Sequence, residues 1–196
     1  MKRILQVCNT DFYLSKFLLP LVRELVNQGY EVECICSGKE YDPEFDQLGV
    51  VVHDFEFPQK ASPIQFLQAI ARMNTFLKKN NFDCVNSHNR NASIVARISS
   101  WLAGVKVNLY TAHGFYFHDA QGIFFFKLTQ WFEALIAYTS THILSQSTTD
   151  VEIMVNEGWV QSKNIDPIGN GINTKLFTRK LNKIEASHKL GLKDVF

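Results

Sequence analysis

Apolar positions along the chain fall into two rhythms, short strand-like runs and longer stretches at helical spacing. Arg3 to Cys8 reads as a strand and Val32 to Ser37 as a second. Between them Phe17, Leu18, Leu21, Val22, Leu25 and Val26 share one helical face, with Ser15 as the predicted N-cap and Gly29 just past the end. Pro20 must sit near the first turn or kink that helix, because its ring displaces a carbonyl four residues back. The same alternation continues. A short helix at Asp42 to Leu48 leads to a strand at Val50 to Phe55. Ser62 caps a helix carrying Phe66, Ile70, Met73 and Leu77, and a strand follows at Asp83 to Asn86. The polar stretch Ser87 to Asn91 is predicted as a loop, with Asn91 capping a helix from Ala92 to Leu102 that ends at Gly104. Val105, Val107 and Leu109 mark a fifth strand that runs into His113. Gly122 to Tyr138 is helical. His142 to Ser145 and Ile165 to Ile168 are strands on either side of a helix at Thr148 to Glu157.

Strands alternating with helices predict an α/β fold whose crossovers are right-handed and whose sheet is mostly parallel. If the order is doubly wound, 3-2-1-4-5, strands 1, 4 and 5 are neighbours, and the loops Asn9 to Ser15, Ser87 to Asn91 and Thr111 to His118 converge. Ligands bind at that carboxyl edge of open parallel sheets. A histidine beside a glycine, His113-Gly114, can reach a ligand there while the glycine permits close approach. The other reading of this stretch is a strand end with a satisfied histidine and an aromatic plug, Phe115 to Phe117. His88 beside Arg90 either meets a polar or anionic group or lies in a solvated loop. His118 and Asp119 read equally as exposed loop residues.

The Gly122 to Tyr138 helix is apolar on almost every side, with Lys127 and Glu133 its only charges. Such a helix is buried between elements or domains, or lies in a membrane interface. Glu133 on it must be paired, protonated or facing a cavity. Composition narrows the rest. A length of 196 residues, 46% hydrophobic and 20% charged, is ordinary globular material, and a net charge of +1 argues against a nucleic-acid binder. The four cysteines lie in strand-like runs, and Cys34 and Cys36 share a strand face, so buried free thiols are expected and no zinc spacing is present. The chain opens directly into a strand without a signal peptide, and no apolar stretch reaches the ~20 residues a span needs. These features predict a cytoplasmic protein. The first loop lacks G-x-G-x-x-G, and G-x-S-x-G and G-x-x-x-x-G-K-[ST] are absent too, which disfavours dinucleotide binding, a serine hydrolase and a P-loop enzyme. Thr178 to Lys183 reads as a linker and Glu185 to Leu190 as a short helix. Val195-Phe196 opens another strand, so the chain is expected to be a piece of something longer.

Four stretches together carry a resemblance: N-T-D-F-Y-L-S-K-F-L-L-P-L-V-R-E-L-V-N-Q-G-Y-E-V, F-D-C-V-N-S-H, Y-T-A-H-G-F-Y-F-H and I-G-N-G-I-N-T-K-L-F. They resemble the N-terminal half of a family 4 glycosyltransferase of GT-B architecture, in the capsular, exopolysaccharide and lipopolysaccharide branch. H-K-L-G-L-K-D-V-F is similar to the opening of that family's second domain. The resemblance implies a Rossmann-like, doubly wound, seven-stranded domain over residues 1–177 that holds the acceptor. Residues 178–196 would then be a linker and the start of a donor-binding domain. It implies anomer-retaining transfer from a nucleotide sugar to a glycan or polyprenyl-diphosphate-linked acceptor, with no cofactor or metal and with peripheral membrane contact. By position it assigns His113 to the transferred sugar as the catalytic residue, with Thr111, Gly114, Phe115 and His118 in the same loop. Thr10, Asp11 and Phe12 fall on the loop facing donor phosphates and acceptor, His88 and Arg90 on the acceptor side. Glu133 matches an acidic residue of the long helix, and Asn170 and Gly171 the crossover.

Two departures qualify the expectation. Asp11-Phe12-Tyr13 stands where many relatives carry glycines. The acidic pair E-x7-E of the second domain is missing, since none of the ten Glu residues stands eight positions from another. The chain as given is therefore expected to show no turnover. The alternatives are a stand-alone binding or membrane-recruiting subunit of a split transferase, and a Rossmann-like binding protein without sugar chemistry.

Overall fold

The strands are β1 (Arg3–Thr10), β2 (Glu31–Ser37), β3 (Val51–Asp54), β4 (Cys84–His88), β5 (Val107–Ala112), β6 (His142–Ser145) and β7 (Ile165–Pro167). They form one sheet in the order β3-β2-β1-β4-β5-β6-β7, every pair parallel. The computed structural model describes residues 1–59, 62–114, 131–171, 174, 183–189 and 191. The winding direction reverses between β1 and β4, which are paired from Ile4↔Cys84 to Val7↔Ser87. The doubly wound reading holds, and its switch point lies beside the three loops that the order was expected to gather.

Alternation along the strands sends side chains to two faces. Leu5, Val7, Ile35 and Val85 pack with Ala69, Met73 and Leu77 of α4 (Pro63–Asn80) and with Ala92, Val95 and Ala96 of α5 (Arg90–Ala103). Cys8, Cys34 and Cys36 pack on the other face with Leu14, Leu18, Leu19 and Val22, and with Phe45 of α3 (Glu44–Gln47). A third cluster joins Tyr110, Ala112 and Ile143 to Ala137 of α6, described over 131–137, and to Met154 of α7 (Thr148–Asn156). All four cysteines are free, and burial pushes the thiols up in pKa, as expected of inert core residues. Helix α8 (Lys183–Lys189) stands where the short terminal helix was expected. Residues 122–130 of the predicted long helix, and the strand expected at Val195-Phe196, lie outside the described residues.

The entry into the first helix corrects the sequence reading. The helical path begins at Asp11, as α1 (Asp11–Tyr13), and Thr10 rather than Ser15 is its N-cap, its hydroxyl accepting from Tyr13 N at 3.2 Å. Ser15 instead accepts the Asp42 N–H. A π-turn over Leu14–Leu18 follows, closed by Leu19 N on the Leu14 carbonyl, and α2 (Leu19–Asn27) then restarts with Pro20 in its first turn. The wider turn thus disposes of the missing proline N–H where none is needed. It also buries Leu14 and Leu18 while leaving Tyr13 at the sheet's edge, stacked on Phe17 at 4.9 Å.

Asp11 is committed to structure. Its carboxylate accepts from Phe12 N at 2.7 Å and from Glu40 N at 2.9 Å, tying the first helix to the segment after β2. Gly38 makes this approach feasible: its φ is +104°, and a Cβ there would lie 2.2 Å from Asp11 Oδ2. Gly38→Ala must displace that carboxylate and hold alanine in a glycine conformation. Urea unfolding is expected to show a loss of about 1–3 kcal/mol, and an unchanged midpoint would mean the Asp11 tie contributes nothing.

Candidate active site

The carboxyl ends of β1, β4 and β5 bring three rings together. His113 Nε2 lies 2.5 Å from Tyr13 Oη and 3.2 Å from His88 Nδ1. The Tyr13 and His113 rings meet edge-on at 5.4 Å, and the two histidine rings lie at 5.5 Å. His113 is exposed at the rim, whereas His88 is 1% exposed. Expected in a loop, His88 is in fact the last residue of β4, in register with Thr111. The polar letters S-H-N-R-N suggested solvent, yet the strand continues because a buried polar ladder receives the ring. His88 Nε2 faces Gln6 Oε1 at 3.0 Å, Gln6 Oε1 accepts from Asn86 Nδ2 at 3.1 Å, and Asn86 Oδ1 accepts from the Thr111 hydroxyl at 2.9 Å. Gln6, Asn86, His88 and Thr111 share one face of three adjacent strands.

The electrostatics follow from burial. Desolvation, with the neighbouring His113 as a smaller cause, drives the pKa of His88 down to about 3. Desolvation also lowers His113, opposed by a hydrogen bond with the Gln146 side chain. Burial raises Tyr13 well above an ordinary phenol, so it stays protonated. At neutral pH the site therefore presents two neutral imidazoles and a phenol, groups suited to hydrogen-bonding and orienting a ligand.

Other expected site residues are placed as follows. Thr10 caps the first helix and Phe12 is exposed beside it. Thr111 is buried and bound to Asn86, so it supports the ladder rather than facing a ligand. Asp11, expected to approach the donor, is held by the backbone as described above. Gly114 is exposed at the rim next to His113. Phe115 and His118 lie outside the described residues. Asn170 and Gly171 are exposed just past β7, two strands along the rim from β5. Asn91 does not cap α5: its amide donates to the Pro58 carbonyl, and Asn9 of β1 supplies the cap by accepting from Ala92 N at 2.9 Å. Asn89 in turn accepts from Asn9 N through its amide oxygen, in a backbone conformation (φ 59°, ψ 148°) that is costly for any residue but glycine. Tyr13 and Gln6 are the members that sequence reading missed.

Glu133, 4% exposed on α6, is paired. Its Oε2 lies 3.3 Å from Arg97 Nη2 and its Oε1 3.7 Å from Arg90 Nε. Arg97 is itself 1% exposed, with its guanidinium 4.1 Å over the Tyr110 ring. The arginine-paired alternative accounts for this carboxylate, which locks α6 onto α5. Among the described residues no group of three or more metal-ligating side chains is assembled.

The sequence pattern of Glycosyltransferase Family 4 matches residues 14–176. The chain belongs to that family. An Escherichia coli relative, UDP-Gal:alpha-D-GlcNAc-diphosphoundecaprenol alpha-1,3-galactosyltransferase, is 31% identical over 173 residues, 86% of this chain and 44% of that protein. EpsD of Bacillus subtilis, named as a glycosyltransferase, is 28% identical over 198 residues, 94% of this chain and 48% of its own. The family 4 chain thus spans just under half the length of these relatives. Among solved structures, Anabaena HepE in complex with UDP and glucose superimposes with a TM-score of 0.66 at 14% identity, over 97% of this chain and 50% of that one. The doubly wound sheet is therefore one Rossmann-like half of a GT-B fold, as the sequence resemblance implied.

Proposed function

We propose that this chain is the acceptor-side half of a retaining glycosyltransferase that moves a hexosyl or N-acetylhexosaminyl unit from a nucleotide sugar to a lipid-diphosphate-linked glycan in bacterial surface-polysaccharide synthesis. The observation that carries the reading is the Tyr13–His113–His88 cluster at the topological switch point of a family 4 domain. A second Rossmann-like domain, facing this rim, would bind the nucleotide. The relative that acts on GlcNAc-diphosphoundecaprenol supports a polyprenyl-linked acceptor. Peripheral membrane contact fits the exposed Trp131 and Leu135 of α6 and Tyr138 just past it, and no described helix is long and apolar enough to cross a membrane.

Transfer builds positive charge on the sugar ring and negative charge on the departing phosphate, and groups placed to favour those charges accelerate it. His113, neutral and exposed at the rim, is suited to hydrogen-bond a sugar hydroxyl as that charge develops. No metal is required in this scheme. The test is transfer of labelled sugar by the full-length protein to GlcNAc-diphosphoundecaprenol, from a panel of nucleotide sugars. His113→Ala is expected to lower kcat/KM by about ten- to a hundredfold, the loss of one or two well-placed hydrogen bonds. Undiminished activity in that variant would reject the role given to His113.

A further inference from the structure

The line of hydrogen bonds from the rim into the sheet has a polarity that can be read atom by atom. Its inner end runs from the Thr111 hydroxyl to Asn86 Oδ1, and from Asn86 Nδ2 to Gln6 Oε1. The same Gln6 oxygen meets His88 Nε2 at 3.0 Å. An amide oxygen only accepts, so His88 carries its proton on Nε2, and in the neutral ring Nδ1 is a bare acceptor. That acceptor faces His113 Nε2 at 3.2 Å. Two unprotonated nitrogens there would oppose lone pairs, so the contact is satisfied by a proton on His113 Nε2, which leaves Nδ1 to accept from the Gln146 side-chain amide. Tyr13 Oη, 2.5 Å from the same nitrogen, then shares that proton as an acceptor, and its own O–H is turned away from the histidine. Phe17, stacked on the phenol ring at 4.9 Å, helps fix its direction.

We propose that Gln6 and His88 are positioning residues that fix the tautomer of His113, and that Tyr13, held by that histidine, donates its hydroxyl hydrogen to an oxygen of the substrate at this rim. The identity of the substrate rests on the transferase reading; the proton placement does not. The first loop thereby gains a side-chain donor at a position where a glycine would offer only backbone. Burial of the phenol keeps that donor protonated through the physiological range.

Long-range ¹⁵N–¹H NMR of the imidazole rings, recorded on this chain at neutral pH, tests the wiring directly. Both His88 and His113 are expected as Nε2–H tautomers. A proton on His88 Nδ1, or a bare His113 Nε2, overturns the proposal. Gln6→Met is expected to leave each ring a mixture; should the methionine variant fail to fold, the unsubstituted spectrum still decides. In the full-length protein, Tyr13→Phe retains the ring stack and is expected to lose about tenfold in kcat/KM, the value of one hydrogen bond. A rise in KM for the nucleotide sugar alone would place the contact on the donor, and a rise for the lipid-linked acceptor alone on the acceptor. Because Gln6 acts through His113, His113→Ala combined with Gln6→Met is expected to lose little more than His113→Ala alone; fully additive losses overturn the proposal. Absence of transfer by the unsubstituted protein with every nucleotide sugar would reject the transferase reading instead, and the NMR result would then stand by itself.

Discussion

Arg97→Met is expected to destabilise the chain by about 3–5 kcal/mol, because it strands a buried carboxylate. Arg97 and Glu133 are 1% and 4% exposed, and removing either leaves its partner in a medium that solvates charge poorly. Glu133→Leu is expected to cost at least as much, since the guanidinium of Arg97 is then buried without its anion. The pair nonetheless has mediocre geometry. Its contact is 3.3 Å long, Arg90 reaches the other carboxylate oxygen only at 3.7 Å, and Arg97 Nη1 is buried without a hydrogen-bond partner among the described residues. Desolvation of the ions is therefore incompletely offset. The double variant Arg97→Met/Glu133→Leu is expected to recover most of the loss and to match or exceed the unsubstituted stability. Urea denaturation of the four proteins closes the cycle. A double variant as unstable as the sum of the singles would show that the pair is a net stabiliser. The same cycle, repeated on the full-length protein with transfer as the readout, separates two roles for Glu133. A double variant that is stable and active confines the carboxylate to structure, and one that is stable and inactive places it in ligand binding.

Which parts of this arrangement were legible follows from which depend on local pattern. The strands and most helices announced themselves by period, and the winding order placed the loops after β1, β4 and β5 together. Glu133 was legible as a carboxylate in need of a partner. Its choice of Arg97 depends on how α5 meets α6, which no local pattern encodes. His88 looked like a loop residue because its neighbours are polar. Only pairing with Gln6 and Thr111, residues 82 and 23 positions away in the chain, turns that polarity into a buried ladder. The one available signal was parity, since Gln6 in R-I-L-Q-V-C and Asn86 and His88 in C-V-N-S-H break apolar strands at positions that share a face. Tyr13 was missed because Ser15 is as good a cap by composition as Thr10. The π-turn that settles the matter answers Pro20, several residues downstream.

Stability that depends on His88 should fade in mildly acidic solution. In the unfolded chain this imidazole takes up a proton near its ordinary pKa of about 6.5, whereas in the fold it stays neutral until about 3. Between those values the unfolded state binds more protons, so each unit of acidification lowers the unfolding free energy, by up to roughly 1.4 kcal/mol. Above pH 6.5 neither state is protonated and the contribution is fully present; it is lost as pH falls toward 3, in all on the order of 5 kcal/mol. His113, also lowered, adds to the same trend. His88→Gln retains a donor toward Gln6 but cannot titrate, which isolates the histidine from the carboxylates that protonate in the same range. The stability difference between the two proteins, followed by urea unfolding from pH 7 to 4.5, is expected to move against the histidine form as the pH drops. A difference that stays flat over that interval would mean His88 is charged in the fold or open to water. It would also remove the neutral acceptor on which the orientation of His113 and Tyr13 depends.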